Sequence, residues 1–349
     1  MKNYEDYIYV FLISFIPQLI VILTSPFILL WDEYSYLANA MHVLYNTPYF
    51  EYYRFPMLWW ILVPISHITN FNITIIKIIL SLFYSTSIVF LYKLLKEKYS
   101  DNWINWMLIF FMSINGLIIF WGSKIYPDIY AMSSLIFSIY FLNKYFLDNK
   151  EKNLVMFSLF TTISILFKYE YSIFSIISIM FLRNNKERLK FLLYSFIFFT
   201  PYFVYNLILY KNPIFIFIEQ ANVVYTYTKY QSIYVILEGI MFYLGFYLIS
   251  LVQDFRKMDN IEKIIYLYTI LSLLFLSLFI KQKDSRYLIM IIPTIFILTK
   301  RFLDNSKGFK MIFSLTIAIS SFISFYMGFL RILEYHLDLG KTKLSYVYD

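Results

Sequence analysis

The run from Tyr7 to Leu30, YIYVFLISFIPQLIVILTSPFILL, decides the fold. It carries no charged residue, and at about 1.5 Å per residue a helix of this length crosses the roughly 30 Å hydrocarbon core of a bilayer. It lacks a small-residue cleavage site, so it reads as a retained first helix rather than a cleaved signal peptide. Working outward, similar runs recur along all 349 residues, which are 60% hydrophobic with a mean hydropathy of +0.63. Only 15% of residues are charged, against about 25% in a soluble domain. The expected fold is therefore all-α: one polytopic transmembrane helical bundle spanning 1–349, with no soluble domain and a short polar tail over 331–349.

Periodicity and hydropathy predict about eleven spans, near 7–30, 72–95, 103–121, 127–147, 190–210, 233–253, 262–280, 287–303 and 309–330, with two more inside 153–182. That last stretch is too long for one helix and is interrupted by Lys168, Tyr169 and Glu170, so it reads as two short spans meeting at a charged tip. Residues 31–71 form a first loop. Within it, 57–69 is short for a span and carries Pro56 and Pro64 at or near its start and middle, which suits a helix lying at the surface.

With the N-terminus in the cytoplasm, eighteen Lys and Arg fall in cytoplasmic segments and eleven in outer ones. This is the positive-inside bias. It accounts for the net charge of +8 as topology, and no nucleic-acid partner is expected. There are no cysteines, which excludes disulfides and thiolate chemistry. His42, His67 and His336 stand at no ligand-like spacing. No internal repeat is visible, and with seven glycines in the chain the paired broken helices of an inverted-repeat transporter are not expected. Asn72-Ile73-Thr74 matches a glycosylation acceptor, but it sits at a predicted span boundary and carries little weight.

The segment most informative for function is Trp31-Asp32-Glu33-Tyr34-Ser35-Tyr36-Leu37-Ala38-Asn39-Ala40, where two carboxylates stand just beyond the first span. Tyr34, Leu37, Ala38, Met41 and Tyr45 then recur at helical spacing and predict an amphipathic interfacial helix, ended by Asn46-Thr47-Pro48. Asp32 has two readings. It can cap that helix, with Glu33 complementing the helix dipole. Or it is a general base at the membrane surface, its proton affinity raised by an apolar wall.

In its place and content this segment resembles the first outer loop of the glycosyltransferase C superfamily, most of all protein O-mannosyltransferases and lipid A aminoarabinose transferases. Those enzymes carry an Asp-Glu pair after the first span, matched here by Asp32, Glu33, Tyr36 and Ala40. They then show a Gly-containing turn and a Pro-Pro pair, where this chain has Asn46-Thr47-Pro48 and Phe55-Pro56. Asp128, Lys168 and Arg286-Tyr287 fall where the family has a second acidic residue, a basic residue and an Arg-Tyr element. Each has an ordinary alternative: Asp128 as a first-turn carboxylate, Lys168 paired with Glu170 or snorkelling, and Lys281, Lys283 and Arg286 as a solvated loop. Their assignment to one face of the membrane is what suggests a site.

The resemblance implies a polyprenyl-phosphate sugar as donor, inverting transfer to a lipid, glycan or protein acceptor, and membrane lipids around the bundle. On that basis Asp32 is the candidate base. Lys168 and Arg286 are candidate phosphate ligands, and Glu33, Tyr36, Asp128, Glu170 and Tyr287 are candidate substrate-binding residues. No cofactor is assigned. Asp32, Asp128 and Glu170 offer the hard oxygen donors a divalent metal takes, but their spacing does not show that they converge. Glu51 and Arg54 lie in the same loop without an assigned role. Two other readings are a transporter or flippase, which requires ionisable residues deep in spans and has only Lys77 and Glu238 as candidates, and a non-catalytic membrane subunit. The absence of a retention tail favours a prokaryotic cell membrane with the site on the outer face.

Overall fold

The computed structural model describes residues 2–24, 29–227, 233–280, 284–306 and 308–345. Lys229, Lys281, Lys283 and Lys307, which enter the charge bias, lie outside these, as do the side chains of Lys2, Trp31, His336, Lys341 and Lys343. Regular structure among the described residues is all helical. The first loop holds α2 (Trp31–Tyr45) and α3 (Pro56–Ile68), after α1 (Lys2–Thr24). Then come α4 (Ile73–Lys98), α5 (Asn102–Ser113), α6 (Gly116–Gly122), α7 (Pro127–Asp148), α8 (Glu151–Phe167), α9 (Ser172–Phe181) and α10 (Asn185–Tyr210). The last are α11 (Phe215–Tyr227), α12 (Tyr234–Gly239), α13 (Asn260–Leu278), α14 (Ile292–Asn305) and α15 (Lys310–Ser345).

Six helices are long and apolar enough to cross a membrane, or seven if the bent pair α5–α6 is one span. This is an integral multi-pass membrane protein, and the count of about eleven is not reproduced by length and composition. The remaining candidates are short or polar for a physical reason. From Pro127 through Tyr140 every residue of α7 is buried, so α7 is surrounded by protein rather than lipid and tolerates serine. Ser133 and Ser134 donate back to Ile129 and Tyr130 carbonyls at 2.8 Å. Ser138 meets Thr161 at 2.6 Å and Ser164 donates to Ala131 O at 2.9 Å, so small polar residues let α8 approach closely.

The stretch 153–182 turns at a charged tip, as expected. Its return is marked by Arg183, which donates to Phe146 O at 2.6 Å, and by Lys190 on Glu151 at 2.7 Å. The single span expected at 103–121 is instead bent by 52°. Asn115 makes the break: its side-chain oxygen caps α6 through Leu117 N–H at 3.1 Å, and its amide donates to Tyr243 O at 3.0 Å.

At one face of the bundle ion pairs join helix ends that are distant in sequence. Lys96 meets Asp6 at 2.7 Å, Lys310 meets Asp101 at 2.5 Å, and Arg301 meets Glu262 at 2.9 Å. At the opposite face α2 packs on α3, and 13 residues are too few for α3 to span. The stripe predicted on α2 is split between its buried and exposed faces. Tyr34, Met41 and Tyr45 are exposed, whereas Leu37 and Ala38 of the same stripe are buried together with Glu33, Tyr36 and Ala40. The buried side thus mixes apolar residues with polar ones that have partners inside the protein, and the exposed side carries Tyr34, Met41 and Tyr45.

Where α6 crosses α15, Gly116 N–H donates to Ser324 Oγ at 3.0 Å. A Cβ on Gly116 would stand 2.0 Å from Ser324 O and 2.9 Å from Gly328 Cα. Both obstacles are backbone, so neither can rotate away. Gly116→Ala is expected to cost about 1–3 kcal/mol or more through overpacking, read as a lower melting temperature of the detergent-solubilised protein. An unchanged melt would rule out this crossing.

Candidate active site

A cavity of about 500 Å³ opens beside α2 and the tip between α8 and α9. Seven of the eight residues singled out in the sequence line it: Asp32, Tyr36, Asp128, Lys168, Glu170, Arg286 and Tyr287. They come from four regions of the chain, and Asp32 and Arg286, which meet here, are 254 positions apart.

Asp32 stands in the first turn of α2 and accepts from three partners. Arg54 Nη2 lies 2.7 Å from Oδ1, Tyr126 Oη 2.8 Å from Oδ2, and Arg286 Nη1 3.3 Å from Oδ2. Burial alone would push this carboxyl up, as the sequence reading expected. The Arg54 and Arg286 guanidiniums and the Tyr126 hydroxyl together outweigh burial, and the carboxyl is held below its ordinary value. A lowered folded-state value means a contribution to stability that is present above the unfolded value and lost as pH falls through the folded one. The same ionisation governs a base. An acid limb due to Asp32 is therefore expected below about pH 4, and a transfer rate that halves between pH 7 and 5.5 through titration of Asp32 would contradict this environment.

The capping role weighed for Asp32 belongs to its neighbour. Leu30 takes the N-cap position with extended backbone. Glu33 Oε2 accepts the Leu30 N–H at 2.9 Å, and Oε1 accepts the Ile125 N–H at 2.8 Å, with Lys77 Nζ 3.3 Å away. Glu33 is fully buried and does not line the cavity. It ties α2 to α4 and to the strap before α7, and so fixes where Asp32 and Tyr126 meet. Lys77 lies in the second turn of α4 and exposed Glu238 in the second turn of α12. Neither is the mid-span group that transport requires.

Arg54 is the residue the sequence left without a role. Its Nε lies 2.6 Å from Glu51 Oε2 while its Nη2 holds Asp32, and its guanidinium lies 5.3 Å from the Tyr36 ring centroid. Glu51 is fixed in turn by Ser35 Oγ at 3.0 Å, by Tyr53 Oη at 2.9 Å and by Tyr49. Asn39 clamps the Glu51 backbone, donating to its carbonyl at 3.0 Å and accepting its N–H at 2.8 Å. The spacing Asn39, Glu51, Arg54 carried no local signal, because the three meet only when α2 folds against the 46–55 strap.

On the far wall Lys168 Nζ lies 2.6 Å from Asp128 Oδ1, 3.9 Å from Glu170 Oε1 and 4.2 Å from the Tyr287 ring centroid. Asp128 and Glu170 outweigh the effect of burial and hold the ammonium above its ordinary value, so Lys168 is charged at neutral pH. Pro127 at the start of α7 sets the helix entry that presents Asp128. Arg286 is framed by the rings of Trp121, Tyr126 and Tyr287 at 5.7, 5.2 and 5.5 Å. The lining also includes an apolar part, with Phe275, Phe279 and Ile280. Among the described residues no three acidic or histidine side chains are arranged to hold a metal ion.

A multi-pass helical bundle with a charged cavity at one face is the arrangement that the resemblance to the glycosyltransferase C superfamily implies. The comparisons with known proteins bear out that resemblance. Residues 53–205 match the dolichyl-phosphate-mannose-protein mannosyltransferase family. The fold is similar to the crystal structure of ArnT from Cupriavidus metallidurans bound to undecaprenyl phosphate, with a TM-score of 0.67 at 13% identity, over 88% of this chain and 61% of that one. It is also similar to ArnT from the same organism in the apo state, with a TM-score of 0.58 at 13% identity, over 80% of this chain and 57% of that one. This chain thus spans about three-fifths of the length of those proteins. No curated protein matches the sequence.

Proposed function

We propose that the chain is an inverting glycosyltransferase that moves a hexosyl or pentosyl group from a polyprenyl phosphate to an acceptor hydroxyl. The observation that carries this is the convergence of Asp32, Arg54 and Arg286 with Lys168 and Asp128 in one cavity bordered by an apolar wall. An isoprenoid tail suits the wall, and a phosphate suits the cations, with arginine offering paired donors.

In the reaction the acceptor oxygen attacks the anomeric carbon from the side opposite the phosphate. The carbon–oxygen bond to phosphate breaks, inverting that centre, and the acceptor proton passes to Asp32. The departing polyprenyl phosphate gains negative charge, which Lys168 and Arg286 stabilise. Arg286 also holds Asp32. A phosphate that draws Arg286 toward itself removes one of the charges that keep Asp32 acidic, so donor binding strengthens the base. Asp128 fixes Lys168, and Tyr36 and Tyr287 complete the walls. Under this reading the cavity faces the outer side of a prokaryotic cell membrane, because the cationic surplus lies at the opposite helix ends. The acceptor is a lipid, a glycan or a protein.

The test is transfer of radiolabel by membranes containing the protein, offered a panel of polyprenyl-phosphate sugars or the corresponding nucleotide sugars. Label moving from a polyprenyl-phosphate sugar alone is the expected result. Direct use of a nucleotide sugar, with no polyprenyl-linked donor accepted, would overturn it.

A further inference from the structure

Two oxygen acceptors at the cavity lack donors. Glu170 Oε2 and Gln220 Oε1 are both buried and without a hydrogen-bond partner, although both residues line the cavity. Glu170 is 5% exposed overall. A buried acceptor left unsatisfied costs about 1–3 kcal/mol, more when it is charged, and buried polar groups are otherwise nearly always paired. The two come from different elements: Glu170 from the tip between α8 and α9, Gln220 from α11. Lys168 does not complete Glu170. It is taken by Asp128 at 2.6 Å and lies 3.9 Å from the other Glu170 oxygen.

We infer that Glu170 and Gln220 are specificity-determining residues that accept hydrogen bonds from hydroxyl groups of the sugar on the donor. This rests on the glycosyl-transfer reading above. Both unmatched groups are acceptors, so the missing partner is a donor of hydrogen bonds, which excludes the phosphate itself and the hydrocarbon tail. A sugar ring has several hydroxyls and reaches two walls at once. Glu170 stands two residues from Lys168, so a sugar whose phosphate rests on Lys168 is brought beside it. The terminal torsions of Glu and Gln are broad, and a modest rotation presents each buried oxygen to the ring. Tyr169 also lines the cavity and adds an aromatic ring to it.

The experiment measures binding to the purified wild type, Gln220→Leu and Glu170→Gln. The probes are undecaprenyl phosphate and undecaprenyl phosphates bearing mannose, glucose, galactose or arabinose. In the wild type at least one sugar-bearing lipid is expected to bind about tenfold tighter than the bare lipid, the worth of one or two hydrogen bonds. Gln220→Leu is expected to erase most of that preference while affinity for the bare lipid changes less than about twofold. Glu170→Gln is expected to erase part of it, with bare-lipid affinity unchanged or raised, because Lys168 loses a competing carboxylate. Equal loss for bare and sugar-bearing lipids, or wild type with no preference for any sugar, overturns the assignment. Wild type that binds none of the lipids, bare or glycosylated, instead defeats the donor reading beneath it, so the two failures are told apart.

Discussion

Asp32→Asn is expected to lower sugar transfer by about 10²- to 10⁴-fold, the range a positioned general base supplies. The substitution keeps the shape of the side chain and an oxygen that can accept from Arg54 or Tyr126, so the protein is expected to fold. What it removes is the site that takes the acceptor proton, together with the charge that Arg54 and Arg286 share. The variant is therefore expected to bind bare polyprenyl phosphate at least as well as wild type, because both guanidiniums lose a competing carboxylate. Transfer and lipid binding measured on one preparation separate these effects. Near wild-type transfer by Asp32→Asn at equal protein level would remove Asp32 as the base and leave it as an anchor for two arginines.

The second large effect is expected away from the cavity. Lys77 and Glu33 form a buried pair with side chains 1% and 0% exposed. Removing one partner of such a pair strands the other and typically costs about 3–5 kcal/mol. Lys77→Met is thus expected to lower the melting temperature sharply and to reduce transfer with it, although Lys77 does not line the cavity. The double variant Lys77→Met/Glu33→Gln is expected to recover part of the stability, since Glu33 is no longer left as a buried carboxylate that has lost Lys77. Glu33→Gln alone gives a sharper discrimination. If it abolished transfer in a protein as stable as wild type, Glu33 would have to reach the substrate, contrary to its burial beneath Leu30 and Ile125.

The membrane bundle was legible because lipid imposes long apolar runs that composition cannot hide, and α1, α4, α10, α13 and α15 lie close to where those runs stand. The helices inside the bundle were harder to read. α7 is packed by protein on every side, so its serines and tyrosines lower the very hydropathy by which a span is counted. The break at Asn115 was invisible because the Tyr243 carbonyl that helps fix it lies 128 positions away. At the site, the carboxylate pair and the later Lys and Arg were found from their order relative to the spans. The roles within the pair were not, because a capping carboxylate and a cavity carboxylate in adjacent positions differ only in which way the helix turns them. Arg54 was missed for the same kind of reason: its partners Asp32 and Glu51 lie 22 and 3 residues away, and only the folded loop brings all three together.

If the protein takes a lipid-borne donor, as proposed above, the apolar residues of the cavity bear on how the two meet. Phe279, at the rim, is 72% exposed, and Leu278 beside it is 66% exposed. Under the proposed function, such exposed apolar side chains beside the cavity are expected to meet acyl chains, so that a lipid-borne donor enters sideways by moving within the plane of the membrane. The quantity that sets occupancy is then the donor's share of the lipid, not its amount per volume of water. Adding inert phospholipid to proteoliposomes, with protein and donor held fixed, thins the donor in the plane and slows turnover, although nothing in the aqueous phase has changed.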